Sequence, residues 1–558
     1  MRIMLQSLLK PSFLLSLIPL VHALDPKTVI DANGISLFDK IEEIERQLLQ
    51  PATLNSLVLP CSLNAQADPN EGQQTSAEWV RTVFHDCITK GIAGPGLGGL
   101  DASIGFESDR PENIGVFVNV TIGQFDQFNT VFLSISDLIG VGLADSLATC
   151  ANDHRRLPLR VGRVDATGPG PAGVPGPADT FAFALAAFNR AGFSQSEMIQ
   201  AIACGHSLGG VHGSDFPDIG GPTGIDPNTS GRKPFDSSPD VFDNTGVNEY
   251  ISGTGLKGGP LVVGLNSTEN SDLRIFSSDG NATIKAMLTP QSFEDTCFTI
   301  FAKMMATVPA AVTLSDPFQV RPWIMRESHL DLTSAGAVQF SGIISAHGAS
   351  TPPNTATYVY GTNGGGNTGQ KTSGAGVILP GSSLSPNQPP DASGIGYGVI
   401  KDYSFSDIIT GQGVTSLTVT SSGSTYSGAI NTNIFILPSQ SFQQQNSGTG
   451  TGPWMVRVAI LSSLTTATSV PVATVWHRAP QVGSKASKIV IKTSNMAFEK
   501  TLGSYKIYKA SSFSSGANPP LNQESGHFRI KLGSTQTSAI VATTLFKTTC
   551  TQNDISLC

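Results

Sequence analysis

The chain has 558 residues, a formal net charge of −8 and only 14% charged residues, and that length has room for roughly two to four domains. An acidic balance argues against a nucleic-acid partner, which rewards a basic surface. With 59 glycines and 35 prolines, the composition suits an extracellular protein with long ordered loops.

Lys10 precedes an apolar run from Phe13 to Val21, too short to span a bilayer as a helix. Val21-His22-Ala23 puts small residues at −3 and −1, so residues 1–23 read as a cleaved signal peptide. A secreted, extracellular protein without a membrane anchor is expected, and a monomer. Secretion favours disulfides. The seven cysteines are Cys61, Cys87, Cys150, Cys204, Cys297, Cys550 and Cys558; six can pair and at least one is left over. Cys550 and Cys558 are near enough in sequence to close a small loop. Four sequons, at Asn119, Asn228, Asn266 and Asn281, mark surface positions for glycosylation.

The stretch T-S-A-E, Thr75 to Glu78, reads as a capping box that opens a helix. R-T-V-F-H-D-C follows, and Arg81, Phe84 and His85 fall at i, i+3 and i+4 on one helix face. A permanent cation beside an imidazole suits proton transfer coupled to stabilisation of negative charge. The bland alternative is an amphipathic helix whose polar edge carries both. Phe181 to Gly192 reads as a buried helix with a glycine stop. Ser194 to Glu197 is a second capping box, opening a helix that runs toward Gly205. It leads into A-C-G-H-S-L-G-G, Ala203 to Gly210. Gly205 to Gly209 fits G-x-S-x-G, with Ser207 as a serine esterase or lipase nucleophile, but that motif needs a strand before it. The preceding S-Q-S-E-M-I-Q-A-I-A is helical in type. The competing readings make His206 a metal or haem ligand, or a satisfied histidine at a buried helix end. Phe293 to Val308 reads as a third helix.

After Pro317 the pattern changes to short alternating runs, among them V-T-S-L-T-V-T-S-S, N-I-F-I-L-P, W-M-V-R-V-A-I-L, V-P-V-A-T-V-W-H and K-I-V-I-K-T. Such spacing with Gly, Ser and Asn turns predicts a sandwich or barrel. Gly361 to Pro390, rich in Gly, Ser, Asn and Pro, reads as one long mobile loop. The expected organisation is multi-domain: a mostly α-helical domain over residues 24–315, then an all-β, sandwich-like domain over 316–558. Trp454 and Trp476 belong either in the core of that second domain or on a sugar-stacking face.

Several motifs recur in one order between residues 61 and 310: RTVFHDC, GGLDASI, PENIG, SDLIGVGLADSL, GRVDAT, GVPGPADT, GHSLGG, PFDSSPDVFD and SDLRIFSS. Together they resemble the secreted haem peroxidases of the plant and fungal superfamily. FHDC and LDASI are similar to the plant secretory branch and PFDSSPDVFD to the fungal branch. The resemblance implies haem b, two calcium ions, and the reduction of hydrogen peroxide coupled to one-electron oxidation of phenolic or other small aromatic donors. It makes His85 the distal acid–base group and Arg81 the distal cation. Phe84 becomes the aromatic that shields the iron, and Asn113 the residue that sets the distal imidazole's tautomer. Pro175 would lie at the haem edge. His206 would be the axial iron ligand, Asp272 its carboxylate partner, and Phe235 the aromatic beside it. The distal calcium ligands implied are Asp86, Gly99, Asp101 and Ser103. The proximal set is Ser207, Asp236, Ser238, Val241 and Asp243. Asp137 and Arg163 resemble a structural ion pair.

Cys61 with Cys150 resembles a fungal-branch bridge, while the plant partner of Cys87 is replaced by Leu100. The acidic manganese positions of some fungal members fall on Thr75, Trp79 and His212, and the surface tryptophan of lignin-oxidising members on Ala201. Generic oxidation at the haem edge is therefore expected. The alternatives are the Ser207 esterase and a non-catalytic wall-binding protein with a relic peroxidase domain. In either peroxidase-type reading, the β domain is a candidate for binding glycan or a cell-wall surface.

Overall fold

The computed structural model describes residues 27–551 except 28, 50–53, 59–60, 65–71, 95, 152–155, 221–230, 319, 348–351, 364, 380–398, 410–412, 422–423, 446–453, 514–525, 538–540 and 543–545. The expected signal peptide, the sequon at Asn228, the expected Cys550–Cys558 pairing and the last part of the Gly361–Pro390 tract lie outside the described residues.

Up to Met305 the described elements are almost all helical. The longer helices are α1 (Leu37–Leu49), α2 (Thr75–Cys87), α3 (Phe117–Asp126), α4 (Ile135–Cys150), α5 (Phe181–Arg190) and α6 (Gln195–Gly205). A two-stranded ribbon, β1 (Gly210–His212) against β2 (Arg232–Pro234), surrounds the short α7 (Pro217–Gly220). Then come α8 (Thr245–Ser252), α9 (Pro260–Val263), α10 (Ser271–Phe276), α11 (Ala282–Lys285) and α12 (Pro290–Met305).

Helix α2 buries Trp79, Val83 and Cys87, spaced four apart, against α4. The two helices approach closely because α4 carries Gly142: a Cβ there would lie 2.6 Å from the Phe125 ring and 3.0 Å from Trp79. The expected capping box at Thr75 is not formed. Gln74 is the N-cap, in extended conformation and without a side-chain cap bond. Tertiary partners take these side chains: Thr75 Oγ1 accepts from Asn64 Nδ2 at 3.3 Å, and Gln74 Nε2 donates to the Pro239 carbonyl at 3.0 Å. The second box forms as expected, with Ser194 and Glu197 bonded reciprocally at the start of α6.

Two disulfides staple this half. Cys61–Cys150 joins the segment before α2 to the end of α4, and Cys204–Cys297, not read from the sequence, joins α6 to α12. Cys87 is free and buried.

Beyond Pro317 the chain is β. The strands are β3 (Trp323–Leu332), β4 (Val338–His347), β5 (Thr357–Thr362), β6 (Lys371–Thr372), β7 (Val377–Ile378), β8 (Ile400–Ile409), β9 (Val414–Ser421), β10 (Ser424–Ala429) and β11 (Ile434–Ile436). They continue with β12 (Phe442–Gln445), β13 (Trp454–Leu461), β14 (Val472–Ala479), β15 (Lys488–Asn495), β16 (Ala497–Leu502), β17 (Tyr505–Phe513), β18 (His527–Leu532), β19 (Thr535–Gln536), β20 (Val541–Ala542) and β21 (Lys547–Thr551). Strands β6 and β7 fall inside the tract that composition assigned to a loop: Thr357 pairs with Thr372, and Val377 with Asp402.

One sheet runs β3-β4-β8-β7, a second β10-β9-β5-β6, a third β16-β17-β13-β12-β21 with β11 on β13, and a fourth β15-β14-β18-β19 with β20 on β18. The third sheet buries both faces. Ala459 and Ile507 pack with Phe340, Tyr358 and Tyr403 of the first two sheets, while Val456, Val458 and Tyr508 pack with Val475, Phe528 and Ile530 of the fourth. The run Val458 to Leu461 is apolar at every position for this reason. The β half is thus a stack of sheets around two cores, and no single two-sheet sandwich.

Trp454 lies in the second of these cores. Trp476 lies in the core of the helical half, together with Ile324 and Ile400. Neither tryptophan is available as a sugar-stacking platform. Polar contacts cross the same seam: Arg321 pairs with Glu45 of α1, and Arg529 donates to the Gly34 carbonyl at 2.9 Å. Tyr426 donates its hydroxyl to Glu42 at 2.7 Å.

Candidate active site

A cavity of about 290 Å³ opens among α2, α6, α10 and the loop at Pro175. Its walls are largely apolar, with Val80, Phe84, Phe188, Ile202 and Ile275 among them, and His85 and His206 both line it.

On one side stands α2. His85 Nδ1 is 2.8 Å from Asn113 Oδ1. Asn113 Nδ2 donates to the Glu107 carbonyl at 3.0 Å, which fixes the amide so that its oxygen faces the imidazole. His85 therefore carries its proton on Nδ1, and its Nε2 lone pair accepts from Arg81 Nε at 3.3 Å. Arg81 also lies over the Phe117 ring, 3.9 Å from its centroid, a contact that steadies a cation. Burial, and then the Arg81 charge, pull the His85 pKa down to about 3. Burial lowers Arg81 to about 10, with Glu78 and Asp215 opposing. At neutral pH the pair is one neutral base and one cation. Phe84 stacks on Phe188 with centroids 5.6 Å apart and meets His85 edge-on.

Across the cavity, His206 is the C-cap of α6, its N–H bonded to the Ile202 carbonyl at 2.9 Å. Its Nδ1 is 2.7 Å from Asp272 Oδ2 of α10. Asp272 is buried and also accepts from Ser271 Oγ at 3.2 Å. Phe235 stacks on the His206 ring, 4.4 Å between centroids and 15° from parallel. With Nδ1 committed, Nε2 is the His206 nitrogen left for a ligand. Pro175 lines the same cavity.

Ser207 is buried and donates Oγ to the Cys204 carbonyl at 3.1 Å. A helix precedes it, where a nucleophile elbow requires a strand. His206 beside it in sequence is bound to Asp272, so the G-x-S-x-G match builds no nucleophile–base pair.

Two oxygen clusters flank the histidines. Asp86, next to His85, accepts backbone N–H bonds from Asp101 (2.8 Å), Ala102 (2.7 Å) and Ile104 (3.1 Å). Ser103 N–H donates to Asp101 Oδ1 at 3.1 Å. Gly99 has φ +113°, and a Cβ there would lie 2.6 Å from the Thr307 carbonyl, so only glycine lets this loop close on the segment that follows α12. Burial, with Asp101 adding to it, raises the Asp86 pKa well above the carboxylate range. On the other side Ser207 and Asp243 line one small pocket, and Asp236, Ser238 and Val241 lie in the loop that leads to Asp243. Ser238 Oγ donates to Asp243 at 3.1 Å, and Val241 N–H donates to the Ser238 carbonyl at 2.9 Å. The Asp236 Oδ2 atom is buried without a hydrogen-bond partner, and burial raises that carboxyl to about 7. Crowded carboxylates with hydroxyl and carbonyl oxygens suit a hard cation. Among the described residues no group of three or more His, Cys, Asp or Glu side chains converges as a metal site.

The manganese-type positions are placed differently from the expectation. Thr75 and Trp79 are buried away from the cavity, while Gln74 at the N-cap, Glu78 on the helix and His212 at the end of β1 reach it. Ala201 is a buried part of the cavity wall and no surface position. Asp137 and Arg163 form the expected buried pair at 2.9 Å. Phe117, Phe188 and the Glu107 carbonyl were not legible in the sequence, since long-range packing brings them to the site.

The family model described as "Peroxidase" matches residues 63–289. The chain carries a peroxidase-family domain. Its fungal peroxidase relatives agree with that match, and a β-sheet half follows the matched domain. The chain is 37% identical over 302 residues to a WSC domain-containing protein of Arthroderma benhamiae, covering 53% of this chain and 40% of that one. It is 31% identical over 200 residues to manganese peroxidase 3 of Phlebia radiata, covering 34% and 51%. A peroxidase of Arthromyces ramosus is 31% identical over 189 residues, covering 32% and 47%. The chain spans about half the length of these relatives or less. In the peroxidase domain no helix among the described residues is long and apolar enough to cross a membrane, and the same holds for the rest of the chain.

Proposed function

We propose that the chain is a secreted haem peroxidase that reduces hydrogen peroxide and oxidises phenolic or other small aromatic donors in one-electron steps. The observation that carries the reading is the pair of histidines on opposite walls of one apolar cavity. Each has its second ring nitrogen engaged, His85 with Asn113 and His206 with Asp272.

A haem fits this site: the walls suit a flat apolar macrocycle, and His206 offers Nε2. When bound, haem supplies the redox chemistry, taking two electrons' worth of oxidation from peroxide and passing it to donors singly. The chain's own groups do the rest. His206 would hold the iron, and Asp272, accepting Nδ1–H, makes that imidazole a stronger donor. His85 Nε2 takes a proton from peroxide and returns it to the departing oxygen atom. Arg81, a fixed cation 3.3 Å from His85, meets the negative charge that develops on that oxygen. Phe84 and Phe188 keep the wall dry, and Pro175 borders the side where a small aromatic donor would approach.

Calcium ions would be held by Asp86, Gly99, Asp101 and Ser103, and by Ser207, Asp236, Ser238, Val241 and Asp243. The orphaned Asp236 oxygen supports the second assignment. Secretion is supported by the leader-like first 23 residues and by the two disulfides. The β half is proposed to contact glycan or wall surfaces through residues other than its buried tryptophans.

The test is an absorption spectrum with a turnover assay. The purified protein should show a histidine-ligated haem Soret band and consume peroxide with a phenol. His206→Ala should lose the band. A variant that keeps normal haem content and a histidine-ligated spectrum would overturn the proximal assignment, and protein without any haem affinity would overturn the function.

A further inference from the structure

The turn Ser103–Phe106 lies between the distal wall of the cavity and the C-terminal half. On its inner side the turn and the two residues before it are tied to α2 through backbone bonds to Asp86, from Asp101, Ala102 and Ile104. Just downstream, Glu107 N–H donates to the Ile104 carbonyl at 3.0 Å, and the Glu107 carbonyl receives Asn113 Nδ2. Asn113 then meets His85. A short run of bonds therefore leads from this turn to the distal imidazole.

On its outer side the turn meets the hairpin between β14 and β15, residues 480–487, from the far end of the sequence. Lys485 N–H donates to the Gly105 carbonyl at 2.8 Å. A Cβ on Gly105 would stand 3.2 Å from Ser484 Oγ, so the two backbones are in close contact. The hairpin is anchored next to the turn by Asp126, at the end of α3. Asp126 accepts from Ser487 N–H at 2.8 Å and from Ser487 Oγ at 2.9 Å, and its carbonyl accepts from Arg478. Asn129 Nδ2 donates to the Ser487 carbonyl at 2.7 Å. Ala102, at the start of the turn, has φ +60°, a conformation that a residue with a Cβ keeps only where its surroundings hold it.

We infer that the β14–β15 hairpin is a positioning element for the distal site: it presses the Ser103–Phe106 turn onto α2 and so holds Asn113 at His85. The inference rests on the peroxidase reading for the role of His85, but the clamp itself is a matter of this chain's own contacts. It gives the C-terminal half a part in the reaction, although none of its described residues lines the cavity.

The experiment uses the full chain with three changes. Asp126→Ala removes both Ser487 bonds, Asp126→Asn keeps an acceptor in place, and Lys485→Pro removes the donor to Gly105. Hydrogen–deuterium exchange, well below the melting temperature, should rise at residues 105–113 in Asp126→Ala and Lys485→Pro and stay unchanged in α6 and α12. The rate of the haem-loaded protein with peroxide should fall by about 10- to 100-fold, as expected for a reacting group displaced by a fraction of an ångström. Asp126→Asn should restore most of both. If Asp126→Ala does not fold, Ser487→Ala, which removes the Oγ bond and keeps the N–H bond, carries a milder form of the comparison. Variants that melt earlier yet keep wild-type exchange at 105–113 and wild-type peroxide rates would reduce the hairpin to simple domain adhesion and overturn the inference. A wild-type protein inert to peroxide would instead sink the peroxidase reading, and the exchange data would still judge the clamp.

Discussion

Asn113 holds His85 in a single tautomer. Its Oδ1 lies 2.8 Å from His85 Nδ1, while its Nδ2 is fixed by the Glu107 carbonyl. The amide cannot turn without breaking that second bond, so the imidazole keeps an unprotonated Nε2, which accepts from Arg81 Nε. Asn113→Val should leave the His85 Nδ1–H without its partner and the Glu107 carbonyl with only the Arg110 N–H. A destabilisation of about 1–3 kcal/mol is expected for such buried groups, read from urea unfolding, together with a slower reaction with peroxide. Wild-type rates would show that the tautomer is set elsewhere.

His85→Leu should retain haem, since His206 is on the opposite wall, and lose the proton transfer. The rate of the first reaction with peroxide should drop by about 10²–10⁴-fold, the usual size of general acid–base assistance. Stopped-flow mixing measures it, and a near wild-type rate would remove His85 from the mechanism.

Acid should act through the same residue in a defined direction. The folded protein holds His85 near pKa 3, against 6.5 for an unperturbed histidine. Between those values the unfolded chain binds the extra proton, so this group's contribution to stability is intact above about pH 6.5 and is lost as the pH falls toward 3. Melting temperatures of wild type and His85→Leu should therefore converge on acidification. Parallel curves would contradict the depressed value.

Removing calcium should lower the melting temperature and loosen both histidine-bearing helix ends. An ion that binds only the folded state raises stability with its concentration, by about 2.7 kcal/mol at a hundred times its Kd. Asp236→Asn should weaken this protection, because Asp236 carries the buried, partnerless oxygen. Elemental analysis without calcium, and chelator-independent melting, would reject both clusters as calcium sites.

Residues 24–315 expressed alone should fold poorly. Cutting there strips Trp476, Ile324 and Ile400 from the helical core and leaves buried Glu45 without Arg321. An unpaired buried carboxylate is costly. A truncated protein with wild-type haem content and melting behaviour would show that the seam is dispensable.

The sequence by itself determined what local chemistry determines. The i, i+3, i+4 spacing put Arg81, Phe84 and His85 on one face of α2, the Ser194 box started α6, and alternation marked the strands from Val414 onward. The order of the motifs then led to the peroxidase superfamily and to the Cys61–Cys150 bridge. Tertiary structure alone decided the rest. Thr75 lost its capping role to Gln74 because both side chains found distant partners. The lone G-x-S-x-G match gave way once the helix before Ser207 was in place and His206 was bound to Asp272. Val458 to Leu461 is apolar throughout because its sheet is covered on both faces, which periodicity cannot distinguish from a short buried helix. Trp476 was legible as buried, but not as buried in the other half of the molecule. The partner of an apolar face is fixed by which surfaces exclude water together, and no single segment of the chain carries that information.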